Sequence, residues 1–218
     1  KAPKIYNEER MGKVKIHAQK NKAKLYLAGV GFAHAKDYNL PAFIHDAQQH
    51  KIVLAAAFKP FMAKNNRSFS YGSLMIPVAS QTLSEKELYT RLQKLQDQHN
   101  IQIHSLSTGF STKGVDLGSS AIRPLGPPKA VMLIGNGVRS YEAGEVWHLL
   151  DTRVGMPITK VRQNYFDRLS LGKYNTMILV SGSYKWDEKT TKRVKDWIAK
   201  GNTLITIGTA NNALIKHK

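Results

Sequence analysis

The residues of this chain that could take part in chemistry are two histidine–carboxylate pairs and one serine. The pairs are His34–Asp37 and His148–Asp151, in which a histidine precedes an aspartate by three positions. Each pair would lie on one face of a helix, but neither has a recognisable third ligand, so we predict no metal site. Ser183 follows an apolar run without a Gly-x-Ser-x-Gly elbow, and we therefore predict no serine nucleophile.

A glycine-containing loop, Gly135-Asn-Gly-Val-Arg-Ser140, is the strongest candidate for ligand binding. It follows a continuous apolar run and precedes an amphipathic segment, a pattern that indicates a strand, a tight turn and a helix. The loop amides and the first helical turn could bind an anion. The loop lacks the third glycine of a dinucleotide fingerprint and the Gly-Lys-Ser/Thr of a P-loop. An anion site and a plain strand-to-helix turn both remain open.

The apolar runs indicate that the same order of elements occurs twice. Residues 24–31 align with residues 129–137, each being an apolar run that ends in Gly-x-Gly. Residues 73–78 correspond to residues 176–181, and a charged amphipathic helix follows both. The predicted order in each half is β-α-β-β-α-β. We therefore predict an α/β fold of two lobes, each with a parallel, doubly wound sheet.

Composition shifts along the chain predict four segments. Residues 1–22 form a basic extension, and residues 23–110 form the first α/β lobe. Residues 111–128 are rich in Gly, Ser and Pro and are predicted to be a linker. Residues 129–218 form the second lobe, whose last predicted strand lies close to the end of the sequence. The second sheet is therefore expected to be truncated.

The charge of the chain favours an anionic partner but does not select one. The formal net charge is +18, which favours binding of polyanions. The chain contains no cysteine, and this excludes disulfides and thiolate catalysis. No RNP-like aromatic strand or zinc-finger spacing accompanies the charge, so nucleic acid is not the expected partner. No apolar run reaches the roughly 20 residues of a membrane span. A solvated basic surface and a functional anionic partner both remain open.

Three stretches resemble one family of proteins. They are Phe69-Ser-Tyr-Gly-Ser-Leu-Met-Ile-Pro-Val78, Gly114-Val-Asp-Leu-Gly-Ser119 and Tyr141-Glu-Ala-Gly-Glu-Val-Trp-His-Leu-Leu-Asp151. Together they resemble the region that follows the catalytic domain in large bacterial zinc carboxypeptidase-like proteins, the metallocarboxypeptidases. The final lobe of those proteins is similar to a class I glutamine amidotransferase domain. The resemblance covers residues 23–212, and residues 141–151 are its most specific part.

The resemblance implies a fold, a location and a partner. It implies two flavodoxin-like or amidotransferase-like lobes in a periplasmic or secreted bacterial protein. It also implies a peptidase domain upstream of Lys1 as the main partner, with zinc bound there and no cofactor in this chain. The His-x-x-Glu zinc motif of the peptidases is absent from this sequence.

The resemblance also implies that catalysis has been lost from the second lobe. Matching Thr206-Ile-Gly-Thr-Ala-Asn-Asn212 to the strand and elbow of amidotransferases places Gly208 where their nucleophilic cysteine belongs. Glycine supplies no nucleophile, and the family's histidine and glutamate would lie beyond Lys218. The fold is expected to remain without the reaction.

Ligands of open α/β sheets bind beyond the carboxyl ends of the strands, which selects three strand ends in the second lobe, residues 135–140, 181–186 and 208–212. The candidate ligand-binding residues are Gly135, Asn136, Gly137, Arg139, Ser140, Ser183, Tyr184 and Asn211. The expected function is that of a non-catalytic accessory region, which supports the peptidase domain or binds an anionic peptide or cell-wall polymer. The alternatives are a small-molecule or phosphate-binding enzyme that uses residues 135–140, and a polyanion-binding module that uses residues 1–22.

Overall fold

The computed structural model describes residues 25–28, 37–64 and 66–216, which form parts of two compact units. The units are Lys1–Gly126 and Pro127–Lys218. The predicted basic extension at residues 1–22 lies outside the described residues, as does His34. No helix in the described part of the chain is both long and apolar enough to cross a membrane.

The first unit is a mixed α/β structure. Its strands and α-helices, in chain order, are β1 (Leu25–Ala28), α1 (Leu40–Gln49), β2 (Ala55–Ala57), β3 (Phe61–Ala63), β4 (Ser68–Phe69), β5 (Leu74–Pro77), α2 (Glu85–His99), β6 (Ile103–Leu106), β7 (Ser111–Gly114) and β8 (Ile122–Pro124). Helix α2 begins with a capping box, in which the Glu87 amide donates to Ser84 Oγ and the Glu87 carboxylate accepts from the Ser84 amide.

The main sheet of the first unit is antiparallel, so the predicted parallel, doubly wound sheet is wrong for this half of the chain. The strand order is β6-β1-β5-β2-β8, and each described pairing is antiparallel. Helix α1 connects β1 to β2 with β5 lying between them, and α2 connects β5 to β6 with β1 lying between them. This arrangement is the split β-α-β of ferredoxin-like folds. It has the predicted order of elements but a different pairing of strands.

The core of the first unit lies on both faces of this sheet. On one face, α1 and α2 pack through Phe43, Leu88 and Leu92 against side chains that include Ala56 and Ile76. On the other face, the neighbouring residues of β2 pack against a small antiparallel sheet of order β4-β3-β7. Strand β2 is therefore buried on both sides, which explains why its sequence is continuously apolar.

The segment predicted as a linker, residues 111–128, contains two strands of the first unit. Strand β7 pairs with β3, and β8 pairs with β2 at the edge of the main sheet. The division between the units falls at Gly126 and Pro127. Glycine, serine and proline in this stretch are therefore compatible with short edge strands and turns.

The second unit contains a four-stranded parallel sheet, as the sequence predicts for this half of the chain. Its strands and α-helices, in chain order, are β9 (Ala130–Ile134), α3 (Ser140–His148), β10 (Thr159–Arg162), β11 (Thr176–Leu179), α4 (Glu188–Ala199), β12 (Thr203–Thr206) and α5 (Asn211–Lys216). The strand order is β10-β9-β11-β12, and all three pairings are parallel.

The direction in which successive strands are added to the second sheet reverses between β9 and β11. This reversal decides where the loops of the sheet meet. The first strand of the unit lies beside both the second and the third, so the connections leave the sheet in opposite directions at this point. Met132 and Ala143 belong to the core between the sheet and α3. Leu133 and Trp197 belong to the core on the opposite face, beneath α4. The loops that follow β9 and β11 consequently lie side by side at the carboxyl edge.

Candidate functional site

The loops after β9 and β11 are joined by backbone hydrogen bonds. Val138 and Gly182 form an isolated antiparallel bridge between the two loops. The amide of Ser183 donates to the carbonyl oxygen of Gly137 at 2.8 Å. Two of the three segments that the sequence selected as strand ends therefore form one surface.

The loop after β12 joins the same surface through side chains and amides. The amide of Gly182 donates to Thr209 Oγ1 at 3.1 Å, and the amide of Thr209 donates to Ser181 Oγ at 3.2 Å. The Arg139 amide in turn donates to the Ser181 carbonyl oxygen at 2.9 Å. The three selected strand ends are thus brought together. We call residues 135–140, 181–186 and 208–212 the carboxyl-edge site.

Two side chains that the sequence analysis did not select hold the carboxyl-edge site together. Glu142 Oε2 accepts a hydrogen bond from the Ser181 amide at 2.9 Å. Gln163 Nε2 donates to the carbonyl oxygens of Asn136 and Ser183, at 2.9 and 3.2 Å. Gln163 directly follows β10, and its position at a strand end was the one sequence signal that could have identified it.

The glycines of the first loop adopt backbone conformations that other residues rarely adopt. Gly135 has a φ of +95° and Gly137 a φ of +85°. A side chain at Gly137 would also lie 3.1 Å from the Ser183 carbonyl oxygen. The Gly-x-Gly pattern is therefore needed for the sharp turn out of β9 and for its close approach to the next loop.

Most of the predicted ligand-binding residues are exposed at this edge. The exposed residues are Gly135, Asn136, Gly137, Arg139, Ser140, Ser183 and Asn211. Asn211 Nδ2 donates to the Gly208 carbonyl oxygen at 3.1 Å, and Asn211 Oδ1 accepts from Thr206 Oγ1. Asn211 therefore fixes the turn between β12 and α5.

Tyr184 differs from the other candidates because its side chain packs in the core. It is 5% exposed, and its hydroxyl donates to the Val180 carbonyl oxygen at 2.7 Å. Its ring lies 6.1 Å from the Trp186 ring. Burial, together with the negative charge of Glu142, raises the pKa of Tyr184 to about 12. We therefore assign Tyr184 a packing role, with its hydroxyl bound to a backbone carbonyl group.

The start of α3 presents a helix N-terminus and an exposed arginine at the carboxyl-edge site. Arg139 occupies the N-cap position and makes no side-chain hydrogen bond to the first helical turn. Its side chain is 71% exposed, and Arg139 Nη1 lies 3.9 Å from Glu142 Oε1. Amides of a first helical turn and an adjacent guanidinium both favour a bound anion. The arrangement can therefore bind an acidic group without supplying a nucleophile.

The stability of the second unit is expected to depend on the ionised form of Glu142. The hydrogen bond from Ser181 and the charge of Arg139 lower the pKa of Glu142 from its ordinary value of 4.5. A carboxylate whose pKa is lowered by folding stabilises the native state above its ordinary pKa. That stabilisation is lost as the pH falls through the lowered value. In urea titrations between pH 7 and pH 3, Glu142→Gln should therefore reduce the acid-dependent loss of stability.

The control for this experiment is Glu145→Gln, which removes the same charge from the same helix. Glu145 is exposed, and no hydrogen bond or ion pair of its side chain occurs within the described ranges. We expect this variant to retain the acid dependence of the parent protein. Identical pH profiles for the two variants would show that the bond between Glu142 and Ser181 does not stabilise the loops.

The described residues do not assemble a metal centre. No group of three or more histidine, aspartate or glutamate side chains within them is arranged to hold a metal ion. The pair His148–Asp151 therefore has no third ligand in that part of the chain. Asp37 begins a short 3-10 turn, Asp37–Asn39, before α1.

A comparison with known families matches the first part of the chain. Residues 1–52 match a family described as a domain of unknown function (DUF8840). The matched range includes β1 and α1 among the described elements and ends before the second unit begins. Neither the curated proteins nor the solved structures contain a match to this chain. The carboxyl-edge site is therefore interpreted from its own geometry.

Proposed function

We propose that this chain is a non-catalytic accessory region whose second unit binds an acidic group at the carboxyl-edge site. The observation that carries the proposal is the meeting of three strand-end loops beside the uncapped start of α3. Arg139 is exposed there and supplies a positively charged donor. The acidic group would accept hydrogen bonds from first-turn amides and a charge-assisted bond from the guanidinium.

The interior of the carboxyl-edge site supports a binding role. Glu142 and Gln163 are engaged with backbone groups of the loops, which keeps these loops in one arrangement. A site whose backbone is already ordered requires less conformational entropy to be lost on binding. Asn136 and Ser183 are exposed beside Arg139 and can add neutral donors.

We propose further that the second unit has a flavodoxin-like or amidotransferase-like fold without the catalytic elbow. The strand order β10-β9-β11-β12 agrees with the first four strands of that doubly wound arrangement. Gly208 lies between β12 and α5 with a φ of +57°, as expected for an elbow between a strand and a helix. Because glycine has no side chain, the elbow lacks a nucleophile. The antiparallel first unit is not included in this proposal.

The connection with a zinc carboxypeptidase-like protein rests on the sequence resemblance. Under this proposal, the partner is a peptidase domain of the same polypeptide, and zinc would be bound in that domain. The acidic ligand would be an anionic peptide or cell-wall polymer in the periplasm or outside the cell. The net charge of +18 is compatible with such a ligand.

The expected effect of Arg139→Ala is a decrease of about tenfold in affinity for an acidic peptide, because one charge-assisted hydrogen bond is removed. Triglutamate is a suitable probe, and isothermal titration at fixed salt measures its affinity. Arg153→Ala is the matched control, since Arg153 lies in the π-helical turn Leu149–Arg153 after the other end of α3. The control should change the affinity much less at the same ionic strength.

Equal losses for the two variants would contradict the proposed site. They would indicate attraction by the overall charge, which falls steeply with salt, and would favour the polyanion-binding alternative. Deletion of residues 1–22 would then be expected to abolish binding. If the carboxyl-edge site binds the peptide, that deletion should leave the effect of Arg139→Ala intact.

A further inference from the structure

An apolar cleft adjoins the carboxyl-edge site on one face of the parallel sheet. Its volume is about 380 Å³, and it lies between α3 and the strands β9 and β10. Met132, Ile134 and Trp147 provide apolar walls, while Gly135 and Ser140 belong both to the cleft and to the carboxyl-edge site. A ligand at the loop amides could therefore extend directly into the cleft. Its volume is at the lower end of the range of small-molecule sites.

The lining of the cleft includes one positive charge. Lys160 of β10 is opposite Met132 of β9 in the parallel register. Its ammonium lies 3.9 Å from the centroid of the Trp147 ring, a cation–π contact between two residues of the cleft lining. No carboxylate of the described residues lies within ion-pair distance of Lys160. The cleft thus combines apolar walls with an ammonium group whose charge no carboxylate of the described residues neutralises.

A glycine in the helical wall provides part of the free space. Gly144 lies in the middle of α3, where glycine is less favourable than alanine by about 1 kcal/mol. A Cβ atom built at Gly144 would have no other heavy atom within 4 Å. Packing therefore does not require glycine at this position, and a larger side chain there would enter the cleft.

We infer that the ligand of the carboxyl-edge site is an amphipathic carboxylate with one medium-sized apolar or aromatic side chain. This inference rests on the proposed function and specifies its ligand. The carboxylate would lie at the loop amides beside Gly135 and Ser140, and the apolar side chain would extend along the cleft past Gly144 toward Trp147. The loop amides and the charges of Arg139 and Lys160 favour an acid over a neutral apolar compound, and the apolar walls favour a bulky acid over a small one.

Two acids that differ in one side chain test the inference. N-acetylphenylalanine is expected to bind at least tenfold more tightly than N-acetylglycine, because its benzyl group removes apolar surface from water. The uncharged amide of N-acetylphenylalanine should bind more weakly than the acid. Calorimetry measures the three affinities, and the tryptophan fluorescence of the Trp186→Phe, Trp197→Phe double variant provides an independent signal from Trp147 in the cleft wall.

The variant Gly144→Leu tests the cleft directly. Its side chain should fill the free space and lower the affinity for N-acetylphenylalanine about tenfold, whereas N-acetylglycine should bind as before. Gly144→Ala is the control, since a single methyl group leaves most of the cleft open. Both variants should fold, because alanine and leucine are better helix formers than glycine.

The outcomes separate this inference from the proposed function. Equal affinities of the two acids for the parent protein, or an unchanged preference in Gly144→Leu, would overturn the inference. Loss of triglutamate binding in Arg139→Ala would support the acidic site independently of either result. If the binding of N-acetylphenylalanine depends on Gly144 but not on Arg139, the cleft remains supported as a ligand site and the proposed function is contradicted.

Discussion

Replacement of Gly182 by alanine is expected to destabilise the second unit by about 3 kcal/mol, the upper part of the range for overpacked sites. A Cβ atom at Gly182 would lie 2.7 Å from the Gly137 carbonyl oxygen and 3.0 Å from Val138 Cα. Both are backbone atoms that cannot rotate away. The bridge between the two loops would therefore have to open, and triglutamate binding should be lost with it.

Tryptophan fluorescence during urea unfolding measures this effect selectively. The chain has three tryptophans, Trp147, Trp186 and Trp197, and all of them lie in the second unit. Gly172→Ala is the control, because a Cβ atom there would meet no other heavy atom within 4 Å. This variant should remain within about 0.5 kcal/mol of the parent protein. A similarly small effect of Gly182→Ala would mean that the two loops do not approach each other as closely as described.

The pairing of strands in the first unit could not be predicted from the order of its elements. The order β-α-β-β-α-β is compatible both with a parallel, doubly wound sheet and with a split β-α-β arrangement. Strand β2 has a continuously apolar sequence, which is typical of parallel strands. In this protein, the continuous pattern has another cause, since helices cover one face of β2 and the small sheet covers the other.

The second unit was more predictable because its strands and its site depend on local patterns. The three selected strand ends carry glycine, serine or asparagine, and the carboxyl ends of parallel strands meet at one edge of the sheet. The supporting contacts could not be predicted in this way. Glu142 and Ser181 are separated by 39 positions, and Gln163 and Asn136 by 27. Such pairs become visible when the strand order is known.

The burial of Tyr184 could not be predicted either, because it depends on how the chain turns after β11. Its neighbour Ser183 is exposed and its neighbour Lys185 is exposed, so the local sequence does not distinguish a surface turn from a buried one. The hydroxyl reaches Val180, four positions earlier, because the chain turns sharply after β11. Tyrosine in a loop is compatible with either ligand contact or core packing, and the turn decides between them.

Alanine at Gly208 is expected to destabilise the second unit by about 2–3 kcal/mol, through two separate effects. Gly208 has a φ of +57°, and a side chain in the left-handed region costs about 1–2 kcal/mol. The new Cβ atom would also overlap Ser181 Oγ. The Ser181 hydroxyl would therefore have to rotate away and lose its hydrogen bond from the Thr209 amide, which adds about 1 kcal/mol.

A double-mutant cycle separates the two effects. Ser181→Ala alone removes the hydroxyl that accepts from the Thr209 amide and should cost about 1 kcal/mol. Both single changes lose this hydrogen bond, so the double variant should be more stable than the sum of the single changes by about 1 kcal/mol. Urea unfolding followed by tryptophan fluorescence gives all four free energies. Strict additivity would contradict the contact between Ser181 and Gly208. Backbone strain at Gly208 would then be the main reason for glycine at the elbow.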